Sequence, residues 1–129
     1  MSSKTVLIVD DMRTVRLKLR KICTDVGVKT IFEAADGAEA FEVLMNFNID
    51  LVLSDWNMPI LTGIELVKKM RETPKIAAVP VIFITSETEK SAILQSLQYG
   101  ITDYVVKPFL DATVSEKVVA ILNAPPVRA

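Results

Sequence analysis

The chain has 129 residues and a mass of 14.3 kDa, a size that fits one folded domain. Fifteen Lys and Arg stand against sixteen Asp and Glu, and the resulting net charge of -1 gives no electrostatic reason to expect nucleic acid or an anionic membrane as the main partner. Histidine is absent, which excludes a Ser-His-Asp or Cys-His catalytic set, a His-ligated zinc site and a phosphohistidine formed on this chain.

The first half of the chain predicts three strands separated by two helices. The strands are expected over residues 6–9, 30–33 and 51–53. The first and third are wholly apolar, which is typical of strands buried on both faces, whereas the second is weaker and precedes the turn signal Asp36-Gly37. The helices between them repeat apolar residues at helical spacing, with Val15, Leu19 and Ile22 in the first and Phe41, Leu44 and Met45 in the second.

The second half continues this alternation. A third helix is indicated by Ile64, Val67 and Met70, and apolar strands are predicted over residues 81–84 and 104–106. The fourth helix, marked by Ile93 and Leu97, ends at Gly100. For the fifth helix, Thr113 and Glu116 predict a capping box at its start, followed by the apolar residues Val114, Val118 and Ile121.

Five strands alternating with five helices predict an α/β fold, an open parallel sheet with helices on both faces. Ligand sites in such folds lie at the carboxyl ends of the strands. We expect residues 1–124 to form a single domain and residues 125–129 to be a short Pro-containing tail without a function of its own. The single Cys23 permits no internal disulfide, and no secretory signal or membrane-length apolar stretch is present, so we expect a soluble, cytoplasmic protein.

Polar residues follow the ends of the four strong strands: Asp10 and Asp11, Asp55, Thr85, and Lys107. Taken singly, each has an ordinary explanation, because Asp often caps a helix, Thr is common in sheets and Lys is usually solvated. Taken together, they predict three carboxylates, a hydroxyl and an ammonium in one crevice, since parallel strands end at the same edge of a sheet.

Three neighbouring carboxylates repel one another, so such a cluster raises at least one pKa or binds a cation. Oxygen donors without His or Cys favour a hard ion such as Mg²⁺. In this interpretation Asp10 and Asp11 hold the metal, and Asp55 is the nucleophile that forms an acyl phosphate. Lys107 and the Thr85 hydroxyl then contact the phosphoryl oxygens.

The segments Val9-Asp10-Asp11, Ser54 to Pro59, Thr85 and Tyr104 to Phe109 resemble the receiver domain of bacterial response regulators, in particular the single-domain regulators of chemotaxis. The resemblance implies a doubly wound, flavodoxin-like sheet with strand order 2-1-3-4-5 and a cis bond between Lys107 and Pro108. It further implies that a partner histidine kinase phosphorylates Asp55. Mg²⁺ would be bound by Asp11, Asp55 and the backbone carbonyl of Asn57, and by Asp10 through water.

The resemblance also implies a switch, in which Thr85 moves toward the phosphoryl group while Tyr104 turns inward. The partner-binding face would include Lys90, Tyr99, Tyr104 and Lys117. The implied protein is a monomeric signalling module and not an enzyme, although it would phosphorylate itself from small donors and lose the phosphate spontaneously. Its implied partners are a sensor histidine kinase, a flagellar motor switch protein and a phosphatase.

Other functions remain as alternatives. The chain could be a phosphorelay intermediate that passes the phosphoryl group from Asp55 to a histidine phosphotransfer protein. A small-molecule phosphatase is a weaker interpretation, because Asp10 and Asp11 are adjacent and do not form the Asp-x-Asp pattern of aspartyl phosphatases. A flavodoxin is disfavoured, because residues Asp10 to Arg13 offer no Gly-rich loop for a flavin phosphate. Five basic residues between positions 13 and 21 indicate a solvated helix face or a kinase-docking surface in preference to a nucleic-acid site.

Overall fold

The computed structural model describes residues 3–123, in which five strands alternate with five helices. The strands are β1 (Thr5–Val9), β2 (Thr30–Ala34), β3 (Leu51–Ser54), β4 (Val81–Thr85) and β5 (Asp103–Val106). The helices are α1 (Arg13–Asp25), α2 (Gly37–Asn46), α3 (Gly63–Arg71), α4 (Lys90–Gln98) and α5 (Asp111–Leu122), with a 3-10 turn at Pro74–Ile76. The predicted alternation is confirmed, and the expected tail at residues 125–129 lies outside the described residues.

All strand pairs are parallel, and their order is β2-β1-β3-β4-β5, as the resemblance implied. Each strand extends one residue beyond its predicted range at one end, and at β3 and β4 the added residues are Ser54 and Thr85 of the ladder. Val9 is level with Ser54, and Thr85 is level with Val106. The register therefore brings the residues after β1, β3 and β5 to one edge of the sheet.

Side chains alternate between two apolar layers, as successive residues of a strand must. Leu7 and Val9 face one layer with α2 and α3, whereas Val6 and Ile8 face the other with α1 and α5. Burial of these strands on both faces explains their unbroken apolar sequence. Within residues 3–123, no helix combines the length and apolar character needed to cross a membrane.

Helix α4 buries less apolar surface against the sheet than the other helices do. Ser96 is its only buried residue, while Leu94 and Leu97 are exposed. Its C-terminal end is held from α3 by Arg71, whose guanidinium donates to the carbonyl of Gly100 at 2.7 and 3.2 Å. The same side chain donates to the carbonyls of Ala77 and Val79. Arg71 thus ties the end of α4 to the segment that leads into β4.

The predicted capping box at the start of α5 is wrong. The helix begins at Asp111, with Leu110 in extended conformation before it, and Thr113 already lies in the first turn with its N–H directed at the Leu110 carbonyl. A capping box does form at α3. There Thr62 accepts a hydrogen bond from the Glu65 N–H at 3.2 Å, and the Glu65 carboxylate accepts from the Thr62 N–H at 3.1 Å.

The fully buried Cys23 gives a direct test of the packing between α1 and the sheet. Burial raises the pKa of its thiol to about 12, so the reactive thiolate is scarce near neutral pH. We predict that a colorimetric thiol reagent leaves Cys23 of the folded protein essentially unmodified and titrates one thiol in urea. Rapid stoichiometric labelling of the folded chain would contradict the burial of Cys23 between α1 and the sheet.

Candidate functional site

Asp10 lies directly after β1 and is almost completely buried, with 1% of its surface exposed. One carboxylate oxygen accepts a hydrogen bond from the Met12 N–H at 2.9 Å, and the other accepts from the Lys107 ammonium at 2.9 Å. Its own N–H donates to the Ala34 carbonyl. Met12, and not an aspartate, occupies the N-cap position of α1, so Asp10 does not cap the helix.

Asp55 follows β3 and is anchored to β1, because its N–H donates to the Val9 carbonyl at 2.9 Å. Its Oδ1 accepts from the Trp56 N–H at 2.8 Å, and its Oδ2 lies 3.4 Å from the Lys107 ammonium. Burial raises the pKa of Asp55, against the opposing effect of the positive Lys107, and the charge of Asp10 raises it further. The carboxylate is therefore fixed in direction and partly desolvated.

Lys107 follows β5 and joins the buried Asp10 to the partly buried Asp55. Burial by itself lowers the pKa of this ammonium, but the hydrogen bond and charge of Asp10 and the charge of Asp55 outweigh it and raise the pKa. Lys107 consequently carries its proton throughout the neutral range. Its backbone N–H donates to the Thr85 carbonyl at 2.8 Å, and the bond to Pro108 is cis, as the resemblance implied.

The three aspartates converge as the sequence predicted. Asp10, Asp11 and Asp55 each offer one carboxylate oxygen, and these oxygens all lie within 4.8 Å of one another. Asp11 is exposed, and Asn57 is an exposed residue of the loop that follows Asp55. A set of oxygen donors at this separation, with Asp10 already bonded to Lys107, fits a hard divalent cation such as Mg²⁺.

Thr85 and Tyr104 meet at a cleft between α4 and the sheet. Thr85 is the last residue of β4, is 4% exposed, and accepts a hydrogen bond on its hydroxyl from the Glu87 N–H at 3.1 Å. The remaining cleft residues come from α4, β4 and the neighbouring loops: Trp56, Phe83, Ile93, Ser96 and Ile101. The two predicted switch residues therefore line the same pocket as Trp56, the residue after Asp55.

The residues expected on a partner-binding face differ in their surroundings. Lys90 is exposed at the first position of α4, whereas Tyr99 is partly buried, with the Lys68 ammonium 5.2 Å from its ring centre. Lys117 donates to the Asp103 carboxylate at 2.7 Å. Of these side chains, Tyr104 alone lines the cleft.

The basic residues of α1 mostly contact acidic groups of the same chain. Arg16 and Arg20 both pair with Glu33, Lys18 lies 3.6 Å from Asp111, and Lys21 lies 2.8 Å from Asp25. This pairing reduces the positive potential that the sequence suggests for the helix. The solvated-face interpretation therefore applies to Lys18 and Lys21, whereas Arg16 is largely buried.

Sequence reasoning missed Gly63, the first residue of α3. Its N–H donates to the Trp56 carbonyl at 2.8 Å, and a Cβ at this position would lie 2.6 Å from the Asp55 carbonyl oxygen and 2.9 Å from the Trp56 Cα. Only a residue without a side chain allows α3 to approach the Asp55 backbone this closely. A Thr-Gly-Ile-Glu capping pattern at residues 62–65 was the available signal in the sequence.

Comparison with known proteins agrees with the geometry. Residues 6–119 match the family described as the response regulator receiver domain. The chain belongs to this family. As a receiver domain, it is a signalling module.

Two curated relatives are chemotaxis proteins. The receiver is 39% identical to chemotaxis protein CheY-3 of Vibrio cholerae serotype O1 over 112 residues, covering 87% of this chain and 86% of the relative. It is 37% identical to chemotaxis protein CheY of Pseudomonas aeruginosa over 113 residues, covering 88% and 91%. The solved structure of the chemotaxis response regulator CheY4 of Vibrio cholerae is similar with a TM-score of 0.85 and 31% identity, over 92% of this chain and 98% of that one.

Gly63→Ala tests how the receiver positions Asp55. In a helix interior, propensity alone makes Gly→Ala stabilising by about 1 kcal/mol. Because the new methyl group would overlap the Asp55 backbone, we predict instead that the free energy of unfolding falls by about 1–3 kcal/mol, measured by urea denaturation. A gain in stability would show that the Asp55 loop moves aside at little cost.

Proposed function

We propose that this receiver is a phosphorylation-controlled switch of bacterial chemotaxis, which accepts a phosphoryl group on Asp55 from the phosphohistidine of a sensor kinase. The observation that carries the proposal is the position of Lys107, whose ammonium lies 2.9 Å from Asp10 and 3.4 Å from Asp55 at the acidic edge of the sheet. The similarity of the chain to chemotaxis proteins of Vibrio cholerae and Pseudomonas aeruginosa supports a role in chemotaxis.

In the proposed transfer, a carboxylate oxygen of Asp55 forms a bond to phosphorus while the phosphorus–nitrogen bond of the donor breaks. The electron pair of that bond stays on the imidazole nitrogen. The attacking carboxylate already lacks a proton, so the absence of histidine from this chain is no obstacle. The Trp56 N–H and Lys107 hold the carboxylate in one orientation, which lowers the entropic cost of attack.

We propose that Asp11, Asp55 and the Asn57 backbone carbonyl bind Mg²⁺ directly and that Asp10 acts through water. Asp10 fits the indirect role because its two oxygens already accept hydrogen bonds from Met12 and Lys107. When bound, Mg²⁺ neutralises charge on the phosphoryl oxygens. Three carboxylates and one ammonium carry a net charge of about -2, which one bound divalent cation would cancel.

The proposed switch begins at Thr85. Its hydroxyl oxygen accepts from Glu87, so the hydroxyl proton remains able to donate to a phosphoryl oxygen on Asp55. Movement of Thr85 changes the cleft that Tyr104 also lines, and α4 packs thinly over this cleft. We propose that the change reaches a partner-binding face containing Lys90, Tyr99, Tyr104 and Lys117.

The proposed downstream partner is a flagellar motor switch protein, and a phosphatase would end the signal. In a phosphorelay role, the downstream partner would instead be a histidine phosphotransfer protein. The two roles are separated by incubating the phosphorylated receiver with each class of partner. Binding to the motor protein that strengthens on phosphorylation supports chemotaxis, whereas rapid, reversible phosphoryl transfer to a histidine supports the relay.

We predict that acetyl phosphate and Mg²⁺ together add one phosphoryl group to the protein and change the fluorescence of Trp56, which adjoins the acceptor. Asp55→Asn keeps the shape of the side chain but removes the nucleophilic carboxylate, so it should show neither the mass increase nor the donor-dependent fluorescence change. Intact-protein mass spectrometry and a fluorescence titration measure the two effects. A wild-type chain that gains no phosphoryl group from any donor would refute the proposed function.

We predict that the Lys107→Ala variant still accepts the phosphoryl group but shows a smaller structural response to it in β5. The substitution removes the cation that contacts Asp10 and Asp55. The measurement is the phosphorylation-induced change in the amide NMR signals of Tyr104 and its neighbours in β5. Lys21→Ala removes an exposed ion pair on α1 and serves as the control. Full-sized NMR changes in phosphorylated Lys107→Ala would contradict a role for this ammonium in transmission.

A further inference from the structure

Arg16 lies on α1 but its side chain turns toward the acidic edge of the sheet, with 17% of its surface exposed. Its Nη1 donates to the backbone carbonyl of Asp10 at 2.7 Å. Its Nε donates to Glu33 of β2 at 3.1 Å. One guanidinium thus bridges the end of β1 and the neighbouring strand, an arrangement that its rigid set of donors allows.

The bond to the Asp10 carbonyl fixes the peptide group that joins Asp10 to Asp11. The peptide group after Asp11 is held as well, because the Met12 N–H donates to the Asp10 carboxylate at 2.9 Å. Since a peptide group is planar, holding both groups leaves the backbone of Asp11 little freedom. The hydrogen bonds of the two peptide groups that flank Asp11 therefore fix the direction in which its side chain leaves the backbone.

We propose that Arg16 is a positioning residue for the metal site, which keeps the Asp11 carboxylate close to Asp55 against their mutual repulsion. This inference rests on the proposed role of Asp11 in binding Mg²⁺. Groups that orient a ligand from behind commonly contribute about 10–100-fold to metal affinity. Arg16 suits such a role because the Glu33 carboxylate holds its guanidinium from the other side.

Arg20 provides a matched control from the same helix. It shares the Glu33 carboxylate, with its Nε 2.8 Å from Oε2, so it also contributes an ion pair to this corner of the fold. Its other side-chain hydrogen bond goes to the Ile31 carbonyl on β2 at 3.2 Å. Removing Arg20 therefore disturbs the Glu33 network and leaves the Asp10–Asp11 peptide held by Arg16.

The test compares Arg16→Ala, Arg16→Lys and Arg20→Ala with the wild-type protein. Mg²⁺ dissociation constants come from titrations followed by Trp56 fluorescence, and the orientation of the peptide is followed by the NMR signal of the Asp11 amide without metal. We expect Arg16→Ala to weaken Mg²⁺ binding by about 10-fold or more and to shift the Asp11 amide signal. We expect Arg20→Ala to stay within about 2-fold of wild type and to leave that signal in place.

Arg16→Lys separates geometry from charge and provides a folded variant if Arg16→Ala is too unstable to measure. A lysine keeps the positive charge but cannot bridge Glu33 and the Asp10 carbonyl in the same way, so its Mg²⁺ affinity should fall with that of Arg16→Ala. Wild-type affinity in Arg16→Lys would overturn the positioning role. Equal losses of Mg²⁺ affinity in Arg16→Ala and Arg20→Ala would also overturn the positioning role. Both arginines pair with Glu33, so equal losses would show that the effect comes from that ion pair.

Failure of the wild-type protein to bind Mg²⁺ at all would instead overturn the proposed metal site, and the role of Arg16 with it. Normal wild-type binding combined with an unchanged dissociation constant in Arg16→Ala would overturn the role of Arg16 alone. The two failures are therefore distinguishable in one set of titrations.

Discussion

The carboxylates of the buried Asp10 and the partly buried Asp55 share one edge of the sheet because the ammonium of Lys107 contacts both. Asp10 and Asp55 follow β1 and β3, whereas Lys107 follows β5, so the side chain of an edge strand reaches across the end of β4 to neutralise charges on the centre of the sheet. Without that cation, Asp10 would be a buried charge with 1% exposure and no counter-ion, a costly arrangement. The acidic site consequently depends on the strand order and register, and the proposed metal ion and phosphoryl group would alter the charges of groups that follow three different strands.

The helices that cover the two faces of the sheet are unequal in their packing. On one face, α1 and α5 bury apolar residues such as Leu19, Ile22, Val114 and Val118. On the other, α2 and α3 pack firmly, whereas α4 buries only Ser96 and is held at its end by Arg71. A helix with little apolar burial is displaced at low cost, which is the property that the proposed switch requires. Its position beside the cleft of Thr85 and Tyr104 connects that property to the site.

The sequence predicted the alternation of strands and helices and the convergence of the three aspartates, because unbroken apolar runs and strand-end polar residues follow directly from burial and parallel pairing. It could not predict the contacts of Arg16 or Arg71, since both bind backbone carbonyls, which carry no residue-specific signal. The Thr-x-x-Glu pattern at residues 62–65 forms a capping box, whereas the same pattern at residues 113–116 does not, because α5 already begins at Asp111. Backbone conformation decided between two identical patterns.

The thin attachment of α4 also implies that this molecule does not unfold as one unit. The Asp55 amide is bonded to the Val9 carbonyl in the centre of the sheet, so we expect it to exchange only through opening of the sheet itself. Helix α4 is held by the buried Ser96 and by the hydrogen bond from Arg71 to the Gly100 carbonyl. We therefore expect its backbone amides to exchange hydrogen with solvent through a local opening of much lower free energy. We therefore expect the acidic cluster to lie on the most persistent part of the domain and α4 to open separately from it.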